Sequence, residues 1–587
     1  MNTLLAALRK SARLRRADVA FGEWIARAFQ GSVPEVALAA SLAARAVADG
    51  HSALELARAS TWLAALDGDG KPPALPQVEA WCEALSRSAA VHANGSTGDL
   101  RPLALDLQGR VYLRRYFEYE QQLARALAVR AQPLPEFGIP VAEPRALDID
   151  PDQQRAINVA RAHRFALVTG GPGTGKTHSV ARMLTALAQV AHAQGERLRI
   201  ALAAPTGKAA ARLGESLRTQ LAELDLPEAV AAQLPRDAKT VHGLLGISPW
   251  RPQPRFNRAV PLPLDVVVVD EVSMVDLPLM AKLVAAIPES ARLILLGDPD
   301  QLSAVEAGNV LGALVEAANA GALGNCHVAL TRSHRFGANS VLGGLATSIM
   351  HGDADAALQA LEVAGEVALV DGARPTRLID SAAEAYRPVI DASDPASALR
   401  AARRFRVLTA LRHGASGCLA LDRAIAQRLQ RALGARADES WWRGRLVMVA
   451  ANRPELGLFN GDTGVVWPEL DGTLKVWFEA GHDAPRAFAP AVLPPHEGAF
   501  ALTVHKAQGS EFDCVALVTG PDSAVLTREL LYTGVTRARS GFVLYSTPET
   551  LQRGIANRTF RMSGLADRLR EAAGSSVLSA ESLPAST

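Results

Sequence analysis

The glycine-rich octapeptide Gly170-Gly171-Pro172-Gly173-Thr174-Gly175-Lys176-Thr177 constrains the fold more than any other feature of the sequence. It follows the apolar run 165–169 and opens the helical pattern 178–188, so it joins a buried strand to a helix. Glycines let backbone N–H groups surround phosphate oxygens, and the helix N-terminus adds a favourable dipole. The octapeptide fits the P-loop pattern GxxxxGK(S/T) and predicts an ATP site, with Lys176 on the β- and γ-phosphates and Thr177 on Mg²⁺.

A run of four valines, 266–269, ends in two acids. This is the pattern of a buried strand that carries a metal-binding carboxylate beside a P-loop. We expect Asp270 to hold Mg²⁺ through its water shell and Glu271 to polarise the attacking water. The P-loop pattern occurs once in the chain, so the sequence predicts one ATP site.

Beyond residue 150 short buried strands alternate with helical stretches, which is typical of a parallel sheet of the α/β class. The expected strands are 165–169, 198–203, 266–269 and 293–296 in a first set, and 406–411, 514–519 and 542–545 in a second. Within the second set, short strands around the turn Asn460-Gly461-Asp462 predict a small SH3-like β-barrel insertion. The fold class is therefore α/β with two parallel sheets.

The residues before the first sheet are rich in Ala, Leu and Arg at helical spacing, and they predict a helical N-terminal domain. The Pro-rich segment 133–144 reads as a linker. The expected domains are 1–135; a first α/β domain, 136–345, with a small hairpin near 246–263; a second, 346–573, with the β insertion near 440–500; and a disordered tail, 574–587.

Composition excludes several classes of protein. The four cysteines lie far apart and show no metal-ligand spacing, so neither a disulfide framework nor a zinc site is predicted. A net charge of +2 neither requires nor excludes a nucleic-acid partner. No apolar run approaches the length of a membrane span, and the N-terminal charges stand in the wrong order for a signal peptide. We therefore expect no membrane association and a cytoplasmic location.

Four further boxes stand next to predicted strands. They are 204–210 (APTGKAA), 297–302 (GDPDQL), 503–512 (TVHKAQGSEF) and 531–539 (LYTGVTRAR). Each box alone is as compatible with an ordinary loop as with a functional site. Together with the P-loop and the acidic pair, they resemble the motifs of superfamily 1 helicases, box for box.

The resemblance implies roles around a bound nucleotide. Gln153 is similar to the glutamine that reads adenine, with Gln154 as the alternative, and Gln301 is similar to the γ-phosphate sensor. Arg335, in the box TRSHRF, and Arg537 are similar to two arginines that reach the γ-phosphate from the second domain, and Glu511 to an acid near the ribose. The implied catalytic set is Lys176, Asp270, Glu271, Gln301, Arg335 and Arg537.

The same resemblance implies a track for single-stranded DNA, on which contacts to the DNA backbone dominate. The residues implied to line it are Thr206, Lys208, Thr240, His242, Thr503 and His505.

The wording of the boxes narrows the resemblance to the RecD family, the α subunits of the RecBCD enzyme (exodeoxyribonuclease V). The segments 17–21, 103–106 and 111–116 are similar to the N-terminal region of that family. The resemblance implies RecA-like motor domains and ATP-dependent 5′→3′ movement on single-stranded DNA. It also implies RecB-like and RecC-like partners that bind DNA ends, with the nuclease in the RecB-like partner.

Several alternatives remain open. The chain could be a stand-alone RecD-like helicase, although its N-terminal region is short for one, or a structural subunit with an idle P-loop, although the whole ATPase set is present. We expect 1–135 to dock on a RecC-like subunit; the alternative is that it braces the first motor domain. We expect Trp250 and Phe256 to lie on a hairpin that acts as a wedge; the alternative is a plain loop.

Overall fold

The computed structural model describes most of the chain. The described residues are 5, 8–10, 13–29, 33–66, 74–93, 100–134, 150–248, 250–337, 340–362, 365–371, 375–434, 439–480, 483–520 and 525–581. The predicted linker therefore falls largely outside them. None of the helices in this part of the chain combines the length and the apolar character that a membrane crossing requires.

The N-terminal region is mainly helical, as predicted, but it also contains a small sheet that the sequence did not indicate. Its helices are α1 (Arg16–Ala28), α2 (Pro34–Ala48), α3 (Ala59–Ala65), α4 (Val78–Ser86) and α5 (Arg114–Arg130). Its strands are β1 (Leu54–Glu55), β2 (Val91–Ala93), β3 (Leu103–Leu105) and β4 (Arg110–Leu113), in the order β1-β4-β3-β2. Strands of two to four residues are too short for an alternating pattern to reveal them.

A six-stranded sheet follows, in the order β10-β5-β9-β8-β6-β7, and all its pairings are parallel. Its strands are β5 (Phe165–Gly170), β6 (Ile200–Ala204), β7 (Ala238–Thr240), β8 (Val266–Val269), β9 (Arg292–Gly297) and β10 (His327–Leu330). The helices of this part are α6 (Pro151–Ala162), α7 (Lys176–Ala193), α8 (Gly207–Ala222), α9 (Glu228–Ala231), α10 (Val241–Leu245), α11 (Leu277–Ala286) and α12 (Val310–Asn319). The four predicted strands are present, and the two that were not predicted, β7 and β10, are the edges.

Ten strands are present in the described residues of the second part of the chain. They are β11 (Val367–Asp371), β12 (Phe405–Thr409), β13 (Leu446–Val449), β14 (Thr463–Pro468), β15 (Leu474–Ala480), β16 (Asp483–Phe488), β17 (His496–Gly498), β18 (Ala501–Thr503), β19 (Phe512–Val518) and β20 (Ala538–Ser546). A parallel sheet has the order β11-β20-β19-β12-β18, and an antiparallel sheet has the order β16-β15-β14-β13-β17. The antiparallel sheet, with its own apolar core around Val447 and Phe478, is the predicted β insertion.

Eight helices are described in the second part of the chain. They are α13 (Val341–His351), α14 (Ala354–Glu362), α15 (Pro375–Ile390), α16 (Pro395–Ala402), α17 (Cys418–Ala432), α18 (Arg528–Val535), α19 (Pro548–Ala556) and α20 (Leu565–Glu581). The prediction of a disordered tail is wrong for 574–581, because α20 continues through them. Residues 582–587 lie outside the described part.

Helix α5 belongs to the N-terminal region by sequence, but it packs against α11 and α20. Leu123 and Leu127 share one apolar core with Phe165 of the first parallel sheet and with Leu569 of α20. Arg130, which is 1% exposed, donates to the carbonyl oxygen of Ile287 at 2.8 Å. This packing supports the view that the N-terminal region braces the first parallel sheet.

The prediction of a β-hairpin near 246–263 is wrong for the residues that the structure describes there. They form turns with one isolated bridge, between Ser248 and Arg251, instead of paired strands. Trp250 is 95% exposed, whereas Phe256 packs against the core of the first sheet. The proline-rich sequence explains the absence of a ladder here, since proline lacks a backbone N–H to donate. A role of this loop in strand separation stays a prediction.

Candidate active site

The predicted P-loop joins β5 to α7. Gly173 and Gly175 have φ values of +75° and +81°, in the left-handed region that favours glycine. The ammonium of Lys176 donates to two carbonyl oxygens of the loop itself, at 2.5 and 3.0 Å. A Cβ on Gly173 would lie 2.2 Å from Cβ of Arg335, so this position has no room for a side chain.

The two predicted acids follow β8 directly. Glu271 has φ +53° and is the only non-glycine residue with positive φ in the described part of the chain. Such backbone strain costs about 1–3 kcal/mol and is concentrated at functional sites. Burial and the charge of Glu271 raise the pKa of Asp270 to about 6, although the charge of Lys176 opposes this shift. The acids and the P-loop lysine therefore interact closely.

A cavity of about 330 Å³ is lined by residues that follow strands of both parallel sheets. The predicted site residues that line it are Pro172, Gly173, Thr174, Gly175, Lys176, Thr177, Asp270, Glu271, Gln301, Arg335, Glu511 and Arg537. Gln153 lies at its edge: it is 5% exposed, and its Nε2 would be 2.8 Å from a Cβ on Gly175. Gln154 instead donates to Asn158 on the surface of α6, which favours Gln153 for adenine.

The loop that carries Gln301 is tied to α18 of the second part. Gln301 Nε2 and the Tyr532 hydroxyl donate to the same oxygen of Asp298, at 3.0 and 3.2 Å. The backbone N–H of Leu302 donates to Thr533 Oγ1 at 2.9 Å. Burial raises the pKa of Asp298. The loop after β9 and helix α18 are therefore linked directly.

Three arginines meet one carboxylate at the cavity, and a fourth arginine lies beside them. Glu511 accepts from Arg335 at 2.6 Å and from Arg539 at 3.1 Å, and it pairs with Arg212. Arg537 is 3% exposed and donates to two backbone carbonyl oxygens of the second part, both at 3.2 Å. Burial opposes ionisation of Glu511, but the charges of Arg212 and Arg335 outweigh it and lower its pKa to about 2.

One implied position needs correction. Arg335 follows β10, a strand of the first sheet, so it does not come from the second domain; it only reaches across to Glu511 and to the carbonyl oxygen of Thr536, at 3.4 Å. Glu511 pairs with three arginines, and a contact of Glu511 with the ribose stays a prediction.

The residues implied to line a DNA track lie at or just after strand ends near the sheet edges. Thr206 follows β6, Thr240 ends the edge strand β7, and their hydroxyls accept from backbone N–H groups at the starts of α8 and α10. His242 is exposed on α10. Thr503 ends β18, the edge strand of the second parallel sheet, and His505 follows it. None of these five residues lines the cavity.

Lys208 is less open than a DNA contact should be. It lies against the turn of the β insertion, with its Cδ 4.0 Å from the position of a Cβ on Gly461. Burial and the charge of Arg406 lower the pKa of Lys208 to about 8, and the charges of Asp462 and Glu479 oppose this. The start of α8 therefore contacts the insertion.

Sequence reasoning missed Arg212 and Tyr532, both of which reach across from one part of the chain to the other. It also missed His178 and Gln220, which line the cavity and share a 2.5 Å hydrogen bond. Arg212 stands two residues after the APTGKAA box and Tyr532 stands inside LYTGVTRAR. These positions are the only signal that could have drawn attention to them.

Comparisons with known proteins agree with this geometry. Three family models match the chain: an AAA domain at 153–307, a UvrD-like helicase C-terminal domain at 498–545, and the N-terminal domain of RecBCD enzyme subunit RecD at 10–112. The AAA match includes the P-loop and the two acids, and the UvrD-like match includes Glu511 and Arg537.

Curated relatives cover most of the chain. The RecBCD enzyme subunit RecD of Mycolicibacterium smegmatis is 39% identical over 92% of this chain and 94% of its own length. That of Mycobacterium tuberculosis is 38% identical over 91% of each. The ATP-dependent RecD2 DNA helicase of Deinococcus radiodurans is 31% identical, over 79% of this chain but 59% of its own length. The chain belongs to the RecD family of RecBCD enzyme subunits.

Proposed function

We propose that the chain hydrolyses ATP in the cavity and uses the energy to move 5′→3′ along single-stranded DNA. It acts as a helicase subunit of a RecBCD-type helicase–nuclease that processes broken DNA ends for recombinational repair. The observation that carries the proposal is the meeting of Lys176, Asp270 and Gln301 with Arg537 in one cavity lined from both sheets. Such a site favours a different arrangement of the two parts in each nucleotide state, as stepping requires.

The residues of the cavity fit Mg²⁺ as well as ATP. The Thr177 hydroxyl and the Asp270 carboxylate line the same cavity, and oxygen donors of this kind suit a hard divalent cation. When bound, Mg²⁺ neutralises charge on the β- and γ-phosphates. Glu271 holds and polarises the attacking water, and Arg537 stabilises the charge that develops on the γ-phosphate.

The proposed DNA track runs past the edges of the two parallel sheets. Thr206 and Thr240 stand at one edge of the first sheet, and Thr503 stands at an edge of the second. Small hydroxyl side chains and N–H groups at helix starts suit phosphate contacts, which carry no sequence preference. The part of the proposed track at Thr503 is connected to the cavity through the chain, because Thr503 and Glu511 belong to the same box, 503–512.

RecB-like and RecC-like subunits are the proposed partners, and the RecB-like subunit carries the nuclease. The match of 10–112 to the RecD N-terminal model supports a role of this region in assembly. Because α5 shares the core of the first sheet, a docking test should remove only residues before α5. The alternative, a helicase that works alone, draws on the RecD2 relative, of which this chain covers 59%.

The direction of movement tests the proposal. We expect the assembled protein to displace streptavidin from the 3′ end of a biotinylated oligonucleotide with ATP when the RecB-like motor is inactivated. Lys176→Gln should abolish this activity, because it removes the charge that meets the phosphates. The matched control, Lys282→Gln on α11, should leave it unchanged. Displacement only from the 5′ end, or displacement that survives Lys176→Gln, would contradict the proposal.

A further inference from the structure

Arg212 crosses from the first part of the chain to the second at the mouth of the P-loop. Helix α8, which carries it, runs along the cavity, and Ala209 and Ser216 line it as well. The guanidinium of Arg212 donates to the carbonyl oxygen of Gly509 at 3.3 Å and pairs with Glu511. Both partners lie in the box 503–512, so Arg212 joins α8 to the second part directly.

The charges that line the cavity are unevenly placed. Asp270 and Glu271 stand next to Lys176 and Thr177, where the metal is expected. Glu511 is the one other acid of the cavity lining, and it is paired with Arg212 and Arg335 at once. A carboxylate and a phosphate offer an arginine the same kind of paired anionic oxygens. Glu511 therefore presents anionic oxygens to Arg212 and Arg335, as a terminal phosphate would do.

We propose that Arg212 binds the terminal phosphate of ATP, and that Glu511 occupies that phosphate's place on Arg212 and Arg335 until ATP arrives. This inference rests on the proposed ATP site. ATP exchanges with Glu511 on the two arginines, whereas ADP lacks the phosphate that could do so and leaves the pairs intact. Arg212 thereby gives the site a preference for ATP over ADP, and the exchange frees the box 503–512 to move.

A purely structural ion pair between Arg212 and Glu511 makes a different prediction. If the pair only held the two parts together, removing either side chain would have the same effect on nucleotide binding. If Glu511 competes with phosphate, the two substitutions act in opposite directions. If Glu511 instead binds the ribose, its loss weakens ATP and ADP alike.

Equilibrium binding of a fluorescent non-hydrolysable ATP analogue and of fluorescent ADP, with Mg²⁺ and the full chain, separates these cases. We expect Arg212→Gln to weaken binding of the triphosphate analogue about 10- to 100-fold and binding of ADP less than about twofold. Arg212→Lys should be intermediate, since it keeps charge but loses the paired donors. Glu511→Gln should increase the affinity for the triphosphate analogue several-fold without increasing the affinity for ADP.

Arg218→Gln is the matched control. Arg218 lies on the same helix, is 45% exposed against 42% for Arg212, and pairs with Asp237; its loss should change neither affinity. Equal effects of Arg212→Gln on ATP and ADP, no effect on either, or weaker binding of both by Glu511→Gln would overturn the inference. If Lys176→Gln bound both nucleotides like the wild type, the proposed ATP site itself would fail.

Discussion

Two carboxylates, one fully buried and one at the cavity, join distant parts of this chain in contrasting ways. Glu120, on α5, is fully buried. It accepts hydrogen bonds from the hydroxyls of Ser52 and Ser563, at 2.6 and 2.7 Å, from the backbone N–H of Gly564 at 3.2 Å, and from Arg568 at 3.1 Å. Its charge is balanced mainly by neutral donors and one cation in a closed site.

Glu511 is surrounded by cations instead. Arg212, Arg335 and Arg539 all pair with it, and the cavity of about 330 Å³ lies beside it. The contrast teaches that a carboxylate enclosed mainly by neutral donors builds structure, whereas one held by partly exposed cations next to open volume is placed for exchange. The Glu120 cluster fixes α20 to the N-terminal region, and the Glu511 cluster is available to a ligand.

The largest effect is expected from Arg537, which lies beside Glu511 but binds backbone carbonyl oxygens. Arg537→Ala should lower the hydrolysis rate about 10³- to 10⁵-fold, as loss of an arginine finger does, while ATP binds nearly normally. Single-turnover hydrolysis and equilibrium binding measure the two quantities. Arg539→Ala, at the exposed rim, is the control and should cost far less. If the hydrolysis rate fell equally in both variants, Arg537 would not have the specific role in hydrolysis that is proposed for it.

The next effect compares the two carboxylates directly. Glu120→Ala leaves Arg568 buried without its partner and should destabilise the fold by about 3–5 kcal/mol. Glu511→Gln keeps the shape of a side chain beside open volume, where water can reach the arginines, and should cost clearly less than Glu120→Ala. Urea unfolding of both variants, followed by circular dichroism, measures the difference. Equal destabilisation by the two substitutions would show that both clusters are structural.

A smaller effect is expected from pH. The pKa of Asp270 is raised from 3.8 to about 6, so the folded chain binds this proton more tightly than the unfolded chain does. Its contribution to stability is therefore largest below about pH 4 and declines as pH rises to 6. Glu511 has the opposite sign: its pKa is lowered from 4.5 to about 2, and its contribution is lost as pH falls through that range.

Mg²⁺ makes the Asp270 shift measurable near neutral pH. Because the metal needs the ionised carboxylate, Mg²⁺-dependent binding of ATP should rise up to about tenfold between pH 5 and about pH 7 and then level off. Asp270→Asn should bind more weakly and lose this rise. A wild-type profile that is flat over this range would show that Asp270 is already ionised.

The sequence predicted best where a single strand or box carries the whole pattern. Four consecutive valines located β8 to the residue, and the octapeptide located the P-loop. The short strands β1 to β4 were not predicted, because they are stabilised by their neighbours in the sheet and not by their own composition. The end of helix α20 was not predicted, because its Ser/Ala-rich sequence shows no apolar face. The start of the helix is held by Leu565 and Leu569, which pack into the core of the first sheet.

The site was predicted as a set of residues but not as a network. Each box identified its own members, but Arg212 contacts Gly509 and Glu511, which lie about 300 positions along the chain. Nothing in the local sequence distinguishes it from Arg218 six residues later. Contacts of this kind depend on how two sheets face each other, and that is decided by packing over the whole chain.

The central claim is that ATP is hydrolysed in the cavity between the two sheets and that single-stranded DNA stimulates this hydrolysis. Phosphate release by the assembled protein, with the RecB-like motor inactivated, tests it most directly when measured with and without single-stranded DNA. We predict that DNA raises the rate of the wild type many-fold and leaves Lys176→Gln at background, while Lys282→Gln behaves like the wild type. DNA-stimulated phosphate release by Lys176→Gln at the wild-type rate would contradict the account.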